Sequence, residues 1–266
     1  MQLNPIDSKS TVRLRDRDAH RPKNAPPPDE IHSLINHETE RISKLQRVFY
    51  ADGRFALLIV LQGRDASGKD GTIRHVFSAV NPQGCEVTSF KVPSEMERKH
   101  DFLWRIHQRI PARSMIGIFN RSHYEDVLVD RVHHNMPKRV WSDRCDEIND
   151  FERMLSENAV VILKFFLHVS RDEQKRRLEA RLTDETKNWK FSLGDLDDRA
   201  LWTTYTKAYK GILTRCSKRH APWYLVPADD KMVRTWLIAR TIADTLEGLD
   251  LRYPAINPAV KAVKIQ

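Results

Sequence analysis

The sequence predicts an α/β fold, an open parallel sheet of about five strands flanked by helices. Apolar runs of strand length alternate with amphipathic stretches at helical spacing. The first run, Phe55-Ala-Leu-Leu-Ile-Val-Leu61, is continuous rather than alternating, as in a strand buried on both faces under covering helices. A glycine-bearing loop follows it at once and leads directly into a helical stretch.

In chain order, residues 1–30 are polar and end in Ala25-Pro26-Pro27-Pro28, which predicts a tail or an arm laid on the surface. Ile31, Leu34, Ile35, Ile42, Leu45 and Phe49 recur at helical spacing, and Asp52-Gly53 stops that helix. After the Phe55–Leu61 strand come a helix from Lys69 to about Val80, a strand from Glu86 to Val92 and a helix near Glu95 to Gln108. A strand at Met115–Asn120, a helix from about Tyr124 and another around Asp143 to Glu157 follow. Then come a strong strand at Val160–Val169, a basic helix at Arg171–Thr183, a last strand at Trp223–Val226 and a final helix near Met232 to Leu249. There is no internal repeat and no second core, so a single domain over 31–253, with a tail at 254–266, is expected.

Composition narrows the class. Of 266 residues, 40% are hydrophobic and 30% charged, too apolar for a disordered chain and without a run long enough to span a bilayer. The first twenty residues lack the apolar stretch of a secretory signal and carry Asp7, Asp16 and Asp18, so a cytoplasmic protein is expected. Cys85, Cys145 and Cys216 have neither disulfide nor zinc-ligand spacing and read as small hydrophobic fillers. Lys plus Arg outnumber Asp plus Glu by 45 to 36, a net charge of +9, which favours a polyanionic partner of some kind. Bulk charge alone does not choose among nucleic acid, an anionic membrane and a smaller phosphorylated molecule.

Residues Gly63-Arg-Asp-Ala-Ser-Gly-Lys69-Asp-Gly-Thr72 have the spacing of a P-loop, between a buried strand and a helix. Glycines let backbone N–H groups turn toward phosphate oxygens, the helix offers its positive end, and Lys69 supplies a point charge. Two positions depart from the nucleotide-triphosphatase pattern. Asp70 stands where a Ser or Thr holds Mg²⁺, and Asn120 stands where the Asp of the second metal-binding motif belongs. A replacement carboxylate is therefore expected nearby, with Asp65, Glu125 and Asp126 as candidates; Glu125 and Asp126 also suit a helix N-terminus for purely structural reasons.

GRDASGKDGTIR at 63–74, FNRSHYEDVLVDRV at 119–132, ILKFFLHVSRDEQKRRLEARL at 162–182, NWKFSLGDLDDR at 188–199 and APWYLVPAD at 221–229 together resemble the polyphosphate kinase 2 family. The likeness is to its single-domain members that use nucleoside monophosphates as well as diphosphates. It implies a P-loop kinase similar to thymidylate kinases, with a mobile helical lid at about 171–199. It also implies reversible, Mg²⁺-dependent phosphoryl transfer from inorganic polyphosphate to AMP or ADP, and to GMP or GDP, with Mn²⁺ as a substitute metal and assembly as a dimer or tetramer. The family pattern puts its loop aspartate on Asp65, its loop lysine on Lys69 and the arginine of its second motif on Arg121, while Glu125 resembles the position separating subgroups by acceptor. The chain departs from the family at Asp230-Lys231-Met232-Val233, where aromatic residues are frequent.

The expected catalytic set is Asp65, Lys69, Arg121 and Glu125, with Asp65 and Glu125 also holding the metal. A bare polyphosphate chain has no base to recognise and calls for positive charge spread along a groove. Ala66, Ser67, Gly68, Lys69, Asp70 and Arg121 would line it, joined by Arg177 and Arg181, which share one helix face. That pair costs roughly 0.2–0.5 kcal/mol in repulsion unless an anion sits between; the alternative is pairing with Glu173 and a solvated face. Lys187 and Lys190 are weaker candidates. For the acceptor nucleotide the candidates are Asp65, Phe90, Arg105, Asn120, Tyr124 and Glu125, with core packing an equal reading of Phe90. His123, His133 and His134 invite a phosphohistidine, but their spacing does not favour one over direct in-line transfer. The rivals are an ATP-dependent nucleoside monophosphate kinase of the thymidylate type and a basic nucleic-acid-binding protein; the second lacks any recognisable nucleic-acid motif.

Overall fold

The computed structural model describes residues 1–7, 11–133, 136–261 and 263. Its strands are β1 (Ala56–Gln62), β2 (Cys85–Ser89), β3 (Ile116–Asn120), β4 (Val160–His168) and β5 (Trp223–Pro227). All pair in parallel, in the order β2-β3-β1-β4-β5. The helices are α1 (Ile31–Asp52), α2 (Lys69–Val76), α3 (Trp104–His107), α4 (Glu125–His133), α5 (Lys138–Glu157), α6 (Arg171–Thr183), α7 (Gly194–Ala200), α8 (Trp202–Arg215) and α9 (Lys231–Glu247).

β1 is central and every one of its residues is buried, which is why its sequence shows no alternation. Leu57, Ile59 and Leu61 face a core shared with α1 and α9, where Phe49, Trp236 and Ile242 pack. Leu58 and Val60 face the opposite core, filled by Tyr124, Ile148, Tyr209 and Trp223 from the α4, α5 and α8 side. Gly53, in the left-handed region at φ 73°, ends α1 at the predicted stop.

Three sequence expectations change. The helix near Glu95–Gln108 is only a 3₁₀ turn at Glu97–Lys99 and the single turn α3, because Asp101 breaks it by accepting from the Leu103 N–H at 2.9 Å. The second strand stops at Ser89 rather than Val92, three residues short, as an edge strand paired only with β3. The polar N-terminal segment is an arm with an apolar side: Leu3, Val12, Leu14 and Ala19 are buried. Ile6 donates to the Trp223 carbonyl at 2.8 Å, so the arm closes the free edge of β5. Among the described residues, no helix is long and apolar enough to cross a membrane.

Candidate active site

The chain leaves β1 for β2 on one side and later crosses to β4 on the other. The carboxyl end of β1 is thus the switch point where open α/β sheets form their crevice. The Gly63–Lys69 loop lies there, beside Asn120 and Arg121 at the end of β3. A cleft of about 830 Å³ opens over it, lined by eight cationic side chains and three carboxylates; the roof is the 187–195 segment, carrying Trp189 and Lys190. Lys190 reaches across to Asp70 at 3.4 Å, joining roof and floor.

Lys69 is buried, and its ammonium donates to the Gly63 and Arg64 carbonyls at 2.8 and 3.2 Å. Burial lowers its pKa below the ordinary lysine value, and Arg121 adds to the effect. Arg121, held at φ 63° with its N–H on the Leu61 carbonyl, extends to Asp65 at 2.7 Å and Glu125 at 3.5 Å. Burial works against its charge, but Glu125 and Asp65 raise its pKa above the usual arginine value. Burial pushes the Glu125 carboxyl up against the pull of Arg121 and Lys69.

Gln62 donates to Glu125 at 3.0 Å while its own Oε1 is buried with no partner. Asp65 and Glu125, both bound to Arg121, are hard oxygen donors beside the loop, a pair that fits a small divalent cation completing its shell with phosphate oxygens. Among the described residues no larger group of ligating side chains is gathered.

The two departures from the P-loop pattern turn out to be partners: Asn120 donates to Asp70 at 2.8 Å. Burial opposes ionisation of Asp70, yet Asn120 and Lys190 hold its carboxyl below the ordinary value. What a Ser/Thr and an Asp do for a metal elsewhere is here a side-chain hydrogen bond across the loop mouth.

The structure thus gathers Asp65 through Asp70, Asn120, Arg121 and Glu125 in one place. Other expected residues lie differently. Tyr124 is wholly buried: its hydroxyl donates to Glu152 at 2.9 Å and accepts from Lys164 at 2.8 Å, in an ionic cluster beneath the loop, so it is not offered to a nucleotide. Against the cost of burial, Lys164 and His123 keep the Glu152 carboxyl below its ordinary value. His123 is buried in the same cluster, and His134 lies outside the described residues. Arg105 is also buried, its fork taken by the Lys91 carbonyl and Asp126, and it lines a separate cavity. Phe90 reaches the cleft but packs edge-on against Phe119 at 4.8 Å, which favours the core-packing reading.

Arg177 takes the alternative reading, pairing with Glu173, but on a face met by main chain rather than solvent. Its Nε binds Glu173 at 2.6 Å, and its two terminal nitrogens donate to the carbonyls of Ala66, Ser67, Ala228 and Asp229. All five donors have partners within the protein, and the guanidinium clamps the loop to the end of β5. Arg181 binds Asp195 at 3.0 Å and the Lys190 carbonyl, bracing the roof.

Sequence reasoning missed Lys91, Asp195 and Lys231 on the cleft wall and Arg234 behind the loop. The signal for Lys231 was positional: it opens the helix after β5, at the same carboxyl edge of the sheet.

The geometry has close relatives. The family model described as "Polyphosphate kinase 2 (PPK2)" matches residues 29–253. An "AMP/ADP-polyphosphate phosphotransferase" from Meiothermus ruber is 50% identical over 226 residues, 85% of each chain. An "ADP-polyphosphate phosphotransferase" from Rhodopseudomonas palustris is 45% identical over 90% of this chain and 86% of its own. The crystal structure of polyphosphate kinase 2 from Arthrobacter aurescens superposes with a TM-score of 0.86 at 38% identity, covering 96% of this chain and 89% of the other. With a family match across nearly the whole folded region and half the aligned residues identical in one relative, the chain belongs to the polyphosphate kinase 2 family.

Proposed function

We propose that the protein is a polyphosphate-dependent nucleotide kinase, moving a terminal phosphoryl group from inorganic polyphosphate to AMP or ADP, and to GMP or GDP, reversibly. The observation that carries this reading is the cleft of about 830 Å³, whose cations other than the main-chain-bound Arg177 flank the loop and continue past it along the roof and the start of α9. A single bound phosphate does not need that extent of charge, whereas a chain of phosphates does. The polyphosphate and AMP/ADP named for the relatives agree with it.

In this reading Lys69 and the backbone N–H groups of Ala66, Ser67 and Gly68 hold the donor's terminal phosphates. Arg121, kept protonated by Asp65 and Glu125, neutralises charge on the group in transfer. Asp65 and Glu125 would hold Mg²⁺, or Mn²⁺ in its place, which when bound spreads positive charge over both substrates' phosphates. The acceptor's phosphate oxygen is already ionised near neutral pH, so it forms the new P–O bond as the donor's bridging P–O bond breaks, without a general base or phosphoenzyme. The segment at about 171–199 serves as a lid, with Lys190 as its contact to the floor and the Arg181–Asp195 pair bracing it from within.

The test supplies purified protein with Mg²⁺, AMP or ADP, and either polyphosphate or ATP as donor. Transfer from polyphosphate is expected; transfer from ATP alone supports the thymidylate-kinase rival, and salt-sensitive DNA binding without transfer supports the nucleic-acid one. Comparing AMP, ADP, GMP and GDP then fixes the acceptor, and a mass measurement in solution checks for the expected dimer or tetramer.

A further inference from the structure

Arg234, on the first turns of α9, is 2% exposed and lies behind the phosphate loop, outside the cleft lining. Its Nη1 donates to the Ser67 carbonyl at 3.2 Å, its Nε has no partner, and among the described residues it forms no ion pair. The neighbouring carboxylate, Asp230, is committed to Arg21 at 2.5 Å and to capping the N-terminus of α9. The guanidinium is pressed against Gly68 so closely that a Cβ there would lie 2.1 Å from Nη1, at a residue already held at φ 102°. Burial, with Arg177 nearby, pulls its pKa down to about 10, so at neutral pH it stays charged.

A buried cation without a counter-ion is costly and is ordinarily exchanged for an apolar side chain or paired. We propose that Arg234 is a positioning residue for the donor: an unneutralised charge fixed behind the loop, whose counter-ion is the phosphate chain on the loop's other face. The inference rests on the polyphosphate reading and deepens it. Lys69 and Arg121 act from the cleft; Arg234 acts through the thickness of the backbone, from a buried position where screening is weak. It also holds Ser67 in place, but Arg177 donates to the same carbonyl at 3.1 Å, so the loop does not depend on Arg234 for that hydrogen bond.

Charge and scaffold roles predict opposite signs. The full chain, as wild type, Arg234→Met and Arg234→Lys, is titrated with tripolyphosphate and separately with AMP, and the unliganded melting temperature is measured. Arg234→Met is expected to weaken tripolyphosphate binding at least ten-fold, leave AMP binding within two-fold, and melt at or above the wild-type temperature; Arg234→Lys recovers most of the lost affinity. Undiminished tripolyphosphate binding by Arg234→Met overturns the proposal, as does weakening of both ligands together with a lower melting temperature. If Arg234→Met does not fold, Arg234→Lys decides: near wild-type tripolyphosphate binding upholds the charge role, and a ten-fold loss overturns it. A wild-type protein that binds no tripolyphosphate defeats the polyphosphate reading itself and this inference with it.

Discussion

On the cleft side of the phosphate loop, Arg121 lies between the carboxylates of Asp65 and Glu125 with 40% of its side chain exposed. Arg177, largely covered at the edge of the same cleft, and Arg234, buried behind the loop, bond carbonyl oxygens of that loop. Both partners of Arg121 are carboxylates, groups that a metal can engage, whereas Arg177 spends one donor on Glu173 and the rest on main-chain carbonyls. That main chain cannot move away without unfolding the turn. Arg121's contacts are thus open to exchange, while those of Arg177 hold the shape of the loop.

Substitutions of both kinds test that division. The largest effect is expected at Lys69→Ala, with a kcat lower by on the order of 10²–10³-fold or more and a cooperative melt retained, because the buried ammonium of the phosphate loop is lost. Unimpaired turnover in this variant would break the comparison at its centre. Arg121→Lys comes next, down about 10²-fold in kcat, since one ammonium cannot replace a fork that spans two carboxylates.

Glu125→Gln separates charge from shape through pH. Burial raises the Glu125 carboxyl, so in the wild type the acid limb of the rate profile falls above the ordinary carboxylate range, where Glu125 ionises to pair with Arg121. The glutamine variant is expected to lose rate and to shift that limb to lower pH. A carboxyl raised in the folded state contributes stability below its unfolded pKa and loses it as pH rises through the folded one. Glu125→Gln removes the burial cost of that charge, so it should melt no lower than wild type, and an unmoved acid limb would show that another group sets it.

Arg177→Lys is expected to cost about 1–3 kcal/mol in urea unfolding, because several carbonyl oxygens lose their donor, with kcat changed less than in the Lys69 and Arg121 variants. The smallest effect belongs to the exposed wall: Lys231→Ala should raise the polyphosphate KM about 2–5-fold, as expected for a solvent-screened contact, and make it less sensitive to salt.

The sheet was readable because a strand buried on both faces must be continuously apolar, and β1 and β4 satisfy this almost without exception. The loop and its flanking charges were readable because spacing between a strand and a helix fixes where their backbone must turn. Arg177 was misread because two arginines four apart define a face but not what that face meets; it meets the carbonyls at the ends of β1 and β5, more than fifty residues away in either direction. Tyr124 and Arg105 were misread for the same reason, since Glu152, Lys164 and Asp126 reach them only through packing.

By itself, then, the sequence determined the parallel α/β sheet, the phosphate loop and a family whose motifs run from residue 63 to residue 229, because each depends on local periodicity or fixed spacing. Only the tertiary structure decided which cations face the cleft and which are spent on main chain, and that Asp70 and Asn120 answer each other. Those outcomes depend on which donors and acceptors meet across the sheet, and a side chain's partner is set by the folded neighbourhood rather than by its place along the chain.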